Sequence, residues 1–248
     1  MMASPTYLLL GATSATGRAL IERLQDQECR VFTHGFRHLG NLDRHRREGR
    51  AELIPIQADL TDMAGVNSLI HQVMSQDPLP QNIVHMAASP LRWGRIQDLP
   101  PQAWADDWNV QVGGVSRLFQ QLLPALKKRG GGRVVLVLSS VTVGRPPAGF
   151  ASYVSAKYAL LGLMAALVEE YRDTPVSINA LSPGMMETDL LTHIPGQVVE
   201  LARSQSPTGR LVTPTEVAEG ILWLLSHDVA PLHGAHITLL PGEVPPWT

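Results

Sequence analysis

Short apolar runs alternate along this chain with longer segments of helical periodicity. The apolar runs are rich in Val, Leu and Ile without strict alternation, which is typical of parallel strands covered on both faces. They predict seven strands, at Tyr7–Gly11, Arg30–His34, Glu52–Gln57, Asn82–Met86, Arg133–Leu138, Val176–Leu181 and His236–Leu239. The segments between them predict helices at Gly17–Gln25, Asp62–Gln76, Pro101–Lys128, Tyr153–Arg172 and Thr213–Ser226. Such alternation predicts an α/β fold: a doubly wound, seven-stranded parallel sheet with helices on both faces.

Two segments interrupt this alternation, residues 89–100 after the fourth strand and residues 185–207 after the sixth. Both follow carboxyl ends of parallel strands, where ligands bind in open sheets. Long irregular segments in that position are more often lids or binding loops than plain connections. The 248 residues suit one large α/β domain, without an internal linker or repeat. We therefore expect residues 1–248 to form a single domain with substrate loops at 89–100 and 185–207.

Composition excludes several classes of partner. The net charge of −2 favours neither nucleic acid nor a membrane surface. The single cysteine, Cys29, cannot form an internal disulfide, which fits a reducing cytoplasm. No uninterrupted apolar run reaches the ~18–20 residues that span a bilayer, and the nine histidines lack the spacing of a zinc site. We expect a cytoplasmic protein that uses no metal.

The first predicted strand runs into a turn of small residues and then a helix. The turn reads Gly11-Ala12-Thr13-Ser14-Ala15-Thr16-Gly17. Small residues at such a turn let backbone N–H groups approach a pyrophosphate at the helix N-terminus. By itself, the turn indicates either a phosphate cradle or an ordinary strand–helix connection.

Tyr153 and Lys157 lie four residues apart on a predicted helix, and so share one face about 6 Å apart along its axis. A phenol, with a pKa of about 10, is a poor acid or base at neutral pH, and a nearby cation lowers that pKa. Ser139 and Ser140 end the preceding strand. Successive strand residues point to opposite faces, so one of these serines can serve beside the tyrosine. Alone, the Tyr–Lys pair is more often an ordinary surface pair.

In this order, the turn, the serine and the Tyr–Lys pair resemble the short-chain dehydrogenase/reductase family, in its single-domain branch, over nearly the whole chain. The family's turn is Gly-x-x-x-Gly-x-Gly, with Ala15 here at the middle glycine. The resemblance implies a Rossmann fold and hydride transfer between a nicotinamide and a carbonyl or secondary alcohol. It implies Tyr153 as general acid/base, Lys157 on the nicotinamide ribose, and Ser140, thirteen residues before Tyr153, on the substrate oxygen.

The resemblance also assigns the remaining site residues. Gln111 stands where the family has a catalytic Asn, and His85 replaces a strand Asn, which we interpret as a structural substitute rather than a base. The implied cofactor contacts are Gly11, Thr13, Ser14, Ala15, Thr16, Gly17, His34, Arg37, Asp59, Leu60, Ala87, Ala88, Tyr153, Lys157, Pro183, Gly184 and Thr188. Read as a residue alone, Asp59 fits a helix cap or loop acid as well as an adenine contact.

The residues after the second strand bear on which nicotinamide is used. An acid there would hold the ribose hydroxyls of NAD and repel a 2′-phosphate. The chain has Thr33-His34-Gly35-Phe36-Arg37 instead, and the Arg37 guanidinium can form a fork with phosphate. This predicts NADP(H) over NAD(H), with Arg37 as a merely solvated loop charge as the alternative.

The substrate is left open by the sequence. Apolar residues of the loops, among them Trp93, Met185, Met186 and Ile194, favour an apolar or mixed substrate or simply pack the loops. We expect a ketone or a 3-oxoacyl thioester, carried by coenzyme A or a carrier protein. The alternatives are dehydration or epimerisation on the same scaffold, or a non-catalytic nucleotide-binding protein. Members of the family usually form tetramers or dimers through their two long helices, so the resemblance further implies a homotetramer or homodimer.

Overall fold

The computed structural model describes residues 4–37, 39–42, 49–192, 194–226 and 232–240. In this part of the chain, seven parallel strands form one sheet in the order β3-β2-β1-β4-β5-β6-β7. The strands are β1 Thr6–Leu10, β2 Arg30–Gly35, β3 Glu52–Gln57, β4 Asn82–His85, β5 Gly132–Val137, β6 Val176–Pro183 and β7 His236–Leu239. The predicted doubly wound parallel sheet is confirmed, with every strand end within two residues of its prediction.

The sheet order places a switch point beside β1. The strand pairs with β2 on one side and with β4 on the other, so the connections leave in opposite directions from this position. A crevice opens at such a point outside the carboxyl ends of the strands, and ligands bind there. The turn after β1 begins at this crevice.

The helices lie on both faces of the sheet. They are α1 Ala15–Leu24, α2 Met63–Met74, α3 Pro101–Trp108, α4 Gly114–Lys128, α5 Ala151–Glu170, α6 Gly196–Gln205 and α7 Pro214–Leu225. The helix predicted over 101–128 is interrupted by a π-helical turn, Asn109–Gly113, closed by a bond from the Gly114 N–H to the Asn109 carbonyl. The capping box predicted at α7 is present, because Thr213 Oγ1 accepts from the Glu216 N–H at 3.2 Å and Glu216 accepts from the Thr213 N–H at 2.8 Å.

The sequence predicted an irregular segment over residues 185–207, but the structure has regular elements there. The segment contains a short 3-10 turn, Asp189–Leu191, and the ten-residue helix α6. Pro195 sits just before the helix, where its fixed φ suits a helix start. Val198 and Val199 then pack against a small buried cluster that includes Ile194. The helix is therefore stabilised by packing that links it to the loop before it.

Two apolar layers cover the two faces of the sheet. Leu8 and Leu10 of β1 point into a layer formed with α2, α4 and α5, and Tyr7 and Leu9 point into the other, formed with α1 and α7. This alternation is the two-residue period of a strand. By length and composition alone, α5 is apolar enough to cross a membrane, but Leu160 and the other inward side chains pack it on the sheet as a core helix.

Candidate active site

The turn after β1 depends on glycine at both ends. Gly11 has φ of 92°, in the left-handed region, and a Cβ there would lie 2.8 Å from the Ala87 backbone. A Cβ on Gly17 would lie 2.4 Å from the Ala12 carbonyl oxygen. The two glycines thus bring the turn close against Ala87 after β4 and the start of α1 close against Ala12.

The N-terminus of α1 faces the crevice with a capped first turn. Ser14 is the N-cap, and its Oγ accepts from the Gly17 N–H at 3.1 Å. Ala15 is the first helical residue, so its methyl group needs no unusual backbone angle. The Arg18 guanidinium donates to the Thr13 carbonyl at 2.7 Å and adds positive charge to the turn. Backbone donors at a helix start, with the helix dipole, suit a phosphate group.

His34 lies under this turn and is 2% exposed. Its Nδ1 accepts from the Gly11 N–H at 3.3 Å, and its Nε2 donates to the Ala58 carbonyl at 3.1 Å. Burial lowers the pKa of His34 to about 4, so the ring is neutral at neutral pH. Both ring nitrogens are engaged, and the side chain therefore braces the turn from beneath. Arg37, by contrast, is exposed, with its guanidinium 4.6 Å from the centre of the Phe36 ring.

Asp59 and Leu60 follow β3 at the same edge of the sheet. Asp59 Oδ1 accepts from the Thr61 N–H at 2.8 Å and from the Thr61 hydroxyl at 2.7 Å, which orders the turn into α2. The side chain is partly exposed, and Leu60 is buried at 5% exposure. Asp59 is thus the loop acid of the alternatives left open by the sequence, because the N-cap of α2 is Asp62, whose side chain accepts from the Gly65 N–H.

Tyr153 and Lys157 meet the end of β5 from helix α5. Lys157 is 3% exposed, and its Nζ donates to the carbonyl of Val137, the last residue of β5, at 2.9 Å. The same Nζ lies 5.6 Å from the centre of the Tyr153 ring. The Ser139 hydroxyl interacts by hydrogen bonding with the Tyr153 side chain. Ser140 begins the next 3-10 turn and is partly exposed.

The electrostatics of this pair differ from the expectation of a phenol acidified by its lysine. Burial raises the pKa of Tyr153 to about 12, and the Ser139 hydrogen bond opposes that rise. Burial also lowers the pKa of Lys157 to about 7, and the carboxylate of Asp107 opposes that fall. Desolvation is the largest cause of both pKa shifts. Tyr153 is therefore protonated at neutral pH.

Gln111 lies in the π turn and is fully buried. Its backbone carbonyl accepts from His85 Nε2 at 3.0 Å, and its side-chain Nε2 donates to Asp107 Oδ1 at 3.3 Å. Burial, followed by the charge of Lys157, lowers the pKa of His85 to about 3. His85 is thus a neutral donor that ties β4 to the π turn, as the structural interpretation predicts. Single π turns occur frequently at functional sites.

Two residues of the site were missed at the level of sequence. Asp107 is 4% exposed and Ser89 is 8% exposed. The Ser89 hydroxyl donates a short hydrogen bond to Asp107 Oδ1. The four-residue spacing from Asp107 to Gln111 places both on one helical face, and this spacing was the available signal.

The residues after β6 complete the crevice. Pro183 ends the strand, and Gly184 donates its N–H to the Leu239 carbonyl at 3.0 Å. Thr188 precedes the 3-10 turn and is partly exposed. Thr16 Oγ1 lies 3.8 Å from Met186 Sδ, so the loop after β6 contacts the start of α1.

The two segments expected to bind substrate converge over Tyr153. Leu91 from the first, Ile194 from the second and Phe150 before α5 form a small buried cluster. Tyr153, Val154, Leu190, Leu191, Val198 and Val199 pack against it. The apolar loop residues therefore pack together and also give the phenol an apolar surrounding.

Comparison with known proteins decides the family. A family model described as enoyl-(acyl carrier protein) reductase matches residues 11–239, from the turn after β1 to the end of β7. The chain belongs to the short-chain dehydrogenase/reductase family. It is accordingly an NAD(P)-dependent oxidoreductase that acts on carbonyl or alcohol substrates, as the sequence predicts.

Known members of the family show how widely this chain differs from them. The acetoacetyl-CoA reductase of Rhizobium meliloti is 26% identical over 97% of this chain and 98% of its own. The 3-oxoacyl-(acyl-carrier-protein) reductase of Thermotoga maritima is 27% identical over 96% of each chain. The L-sorbose reductase from Gluconobacter frateurii, solved with NADPH and L-sorbose, superposes with a TM-score of 0.84 at 20% identity over 96% of both chains. This last similarity concerns the fold.

Proposed function

We propose that residues 1–248 form a single-domain, NADP(H)-dependent reductase of a ketone or 3-oxoacyl thioester, with Tyr153 as its proton donor. One observation carries the proposal. Tyr153, Lys157 and Ser139 lie together at the end of β5, under the cluster of Leu91, Phe150 and Ile194. The turn over residues 11–17 opens at the same edge of the sheet, so the nicotinamide end of a cofactor bound there would lie beside the phenol.

The residues present fit a dinucleotide. Gly11 and Gly17 allow a turn that a Cβ at either position would obstruct. The capped start of α1 suits the pyrophosphate, and Thr13, Ser14, Ala15 and Thr16 supply the turn's backbone. Asp59 and Leu60 suit the adenine, and Ala87, Ala88, Pro183, Gly184 and Thr188 border the nicotinamide end. When bound, the reduced nicotinamide supplies the hydride that reaches the carbonyl carbon.

The chain's own residues handle the proton. Tyr153 Oη gives its proton to the carbonyl oxygen as the C–H bond forms, and one of the two serines donates a hydrogen bond to that oxygen. Ser139 is favoured by its contact with Tyr153, and Ser140 by the family spacing. Gln111 holds the π turn behind the lysine. A phenol that is protonated at neutral pH is ready for reduction, which supports the reductive direction.

Arg37 supports NADP(H) over NAD(H). Its exposed guanidinium follows β2 at the edge where the adenosine ribose would lie, and the run from Thr33 to Arg37 contains no acid. A charge-assisted hydrogen bond contributes about 1.5–3 kcal/mol, so Arg37→Asp should lower kcat/KM for NADPH relative to NADH about tenfold or more. Arg50→Asp is the control, because Arg50 pairs with Glu28. A wild-type preference for NADH would overturn the assignment.

The substrate class rests on the apolar cluster and on the relatives. Acetoacetyl-CoA and 3-oxoacyl-(acyl-carrier-protein) are the substrates in the relatives' names, and a long acyl chain suits the apolar wall around Leu91 and Ile194. The test is loss of NADPH absorbance with a panel of cyclic and sugar ketones and of 3-oxoacyl thioesters on coenzyme A and carrier protein. Turnover of an alkene or an epimerisable substrate alone would contradict the proposal.

Tyr153→Phe tests the acid itself, with Tyr158→Phe as the matched control on the same helix. Tyr158 is 44% exposed and points away from the site. Loss of the general acid should lower kcat by about 10²–10⁴-fold while NADPH still binds. Ser139→Ala and Ser140→Ala, measured side by side, identify the serine that contacts the substrate oxygen. Tight NADPH binding without any turnover, unchanged in Tyr153→Phe, would instead identify a non-catalytic nucleotide-binding protein.

We further propose a cytoplasmic homotetramer or homodimer. The outer face of α5 is apolar and exposes Tyr158 and Gly162, which suits contact with a second copy through the long helices. Light scattering after size-exclusion chromatography measures the mass directly, and a strictly monomeric protein would contradict this part of the proposal.

A further inference from the structure

Asp107 is a buried carboxylate that the proposed mechanism does not use. It lies near the end of α3 and is 4% exposed. The adjacent Asp106 is paired with Arg92 at 3.0 Å, whereas Asp107 forms no ion pair within 4.0 Å among the residues the structure describes. A buried carboxylate is costly unless hydrogen bonds or a charge compensate it. Its surroundings should therefore contain that compensation.

Two hydrogen bonds hold one carboxylate oxygen in place. The Ser89 hydroxyl donates to Oδ1 from the segment after β4. The Gln111 amide donates to the same atom from the π turn, at 3.3 Å. Asp107 thereby joins two elements that border the site, and its orientation is fixed by both.

Helix α5, which carries Tyr153 and Lys157, packs against α3. The carboxylate raises the pKa of Lys157, opposing the larger lowering by burial. It also raises the pKa of Tyr153, adding to the effect of burial. Among the residues described, His85 from β4 is a further titratable group that interacts with Lys157, and its pKa is lowered by burial and by the lysine charge. Asp107 is therefore the anion that acts on both active-site protons.

We propose that Asp107 is a positioning residue of this site, whose buried carboxylate favours the ammonium form of Lys157, against the effect of burial, and at the same time favours the neutral phenol of Tyr153. The role in turnover rests on the proposed reductase function, whereas the effect on Lys157 does not. Reduction needs both protonated forms together: a phenol to give its proton, and a cation to orient the cofactor. A single negative charge beside both groups favours both forms.

The test compares Asp107→Asn, which removes the charge at nearly constant shape, with Asp106→Asn as the matched control. The titration of Lys157 is measured by NMR of the isotope-labelled lysine ε-carbon and assigned by its loss in Lys157→Arg. A nearby opposite charge shifts a pKa by about 1–3 units. We expect the titration midpoint of Lys157 to fall by about one pH unit or more in Asp107→Asn. In Asp106→Asn it should keep its wild-type value.

Enzyme kinetics supply the second measurement. In the pH profile of kcat/KM for carbonyl reduction, the fall in activity at alkaline pH should begin at lower pH in Asp107→Asn. The shift should be about the same as that of the Lys157 titration midpoint. If Asp107 were merely structural, Asp107→Asn would lower the melting temperature and leave the alkaline fall in kcat/KM at its wild-type pH. If Asp107→Asn does not fold, Asp107→Ser removes the charge with a smaller side chain and is interpreted in the same way.

The two measurements separate the two proposals. An unchanged Lys157 midpoint in the charge-removing variant would overturn the role of Asp107, whatever the activity. Absence of carbonyl reduction by the wild-type protein would overturn the proposed function, and the NMR titration would still decide on Asp107.

Discussion

The buried Lys157 should make the stability of this protein rise with pH. Burial lowers the pKa of Lys157 from 10.5 to about 7. Between those values the unfolded chain binds one proton more than the folded protein does. The free energy of unfolding therefore rises by about 1.4 kcal/mol per pH unit in that window, and below pH 7 both states are protonated and this contribution is flat.

Lys157→Met removes this contribution while nearly keeping the side-chain volume. From pH 7.5 to pH 9, about 2 kcal/mol of the wild-type rise should disappear in the variant. The window ends at pH 9 because Cys29, whose pKa burial raises from 9.0 to about 11, contributes the opposite slope above it. Titratable groups that both proteins share contribute equally to the two pH dependences, so their contributions cancel when the unfolding free energies are subtracted.

Urea unfolding at each pH and at one protein concentration measures this difference. The variant also leaves the Val137 carbonyl without its donor, which shifts its stability at all pH values but not the slope. Lys127→Met, at an exposed position on α4, is the control and should follow the wild-type slope. Equal slopes for wild type and Lys157→Met across this window would refute a buried, easily deprotonated lysine.

Four further substitutions test the fold around the site. Gly17→Ala, whose Cβ would meet the Ala12 carbonyl, should lower the unfolding free energy by about 1–3 kcal/mol and weaken NADPH binding measured by calorimetry. Gly196→Ala, at the first residue of α6 with open space around it, should instead raise the unfolding free energy by about 0.4–1 kcal/mol in urea. Ser14→Ala removes the α1 cap and should cost about 1 kcal/mol in the same assay. Leu122→Ala, fully buried on α4, should lower it by about 2–5 kcal/mol.

The regular elements were predictable because their signals are local. A run such as Tyr7–Leu10 is apolar at every position, and this occurs where both faces of a strand are covered. The start of α7 was predictable because a capping box is formed by residues three apart. Helix α6 was missed because its start, Pro195-Gly196, resembles a loop and its apolar side chains face a cluster assembled from distant segments.

Other features of the site could not be predicted from local patterns. The π turn at Gln111 uses residues that would also fit an α-helix, and its carbonyl is stabilised by His85 from another element. His34 was expected to contact the cofactor, yet the structure buries it beneath the turn with both ring nitrogens engaged. In both cases the deciding contact joins residues more than twenty positions apart.

Sequence alone determined the parallel sheet, the turn of small residues after β1 and the shared face of Tyr153 and Lys157, because these follow from periodicity and short spacings. Only the tertiary structure decided that Ser139 contacts the phenol and that Asp107 is buried beside the pair. It also decided that Tyr153 is held protonated rather than acidified. The physical reason is desolvation: how strongly water is excluded from a group depends on every element packed around it, and spacing along the chain carries no measure of that.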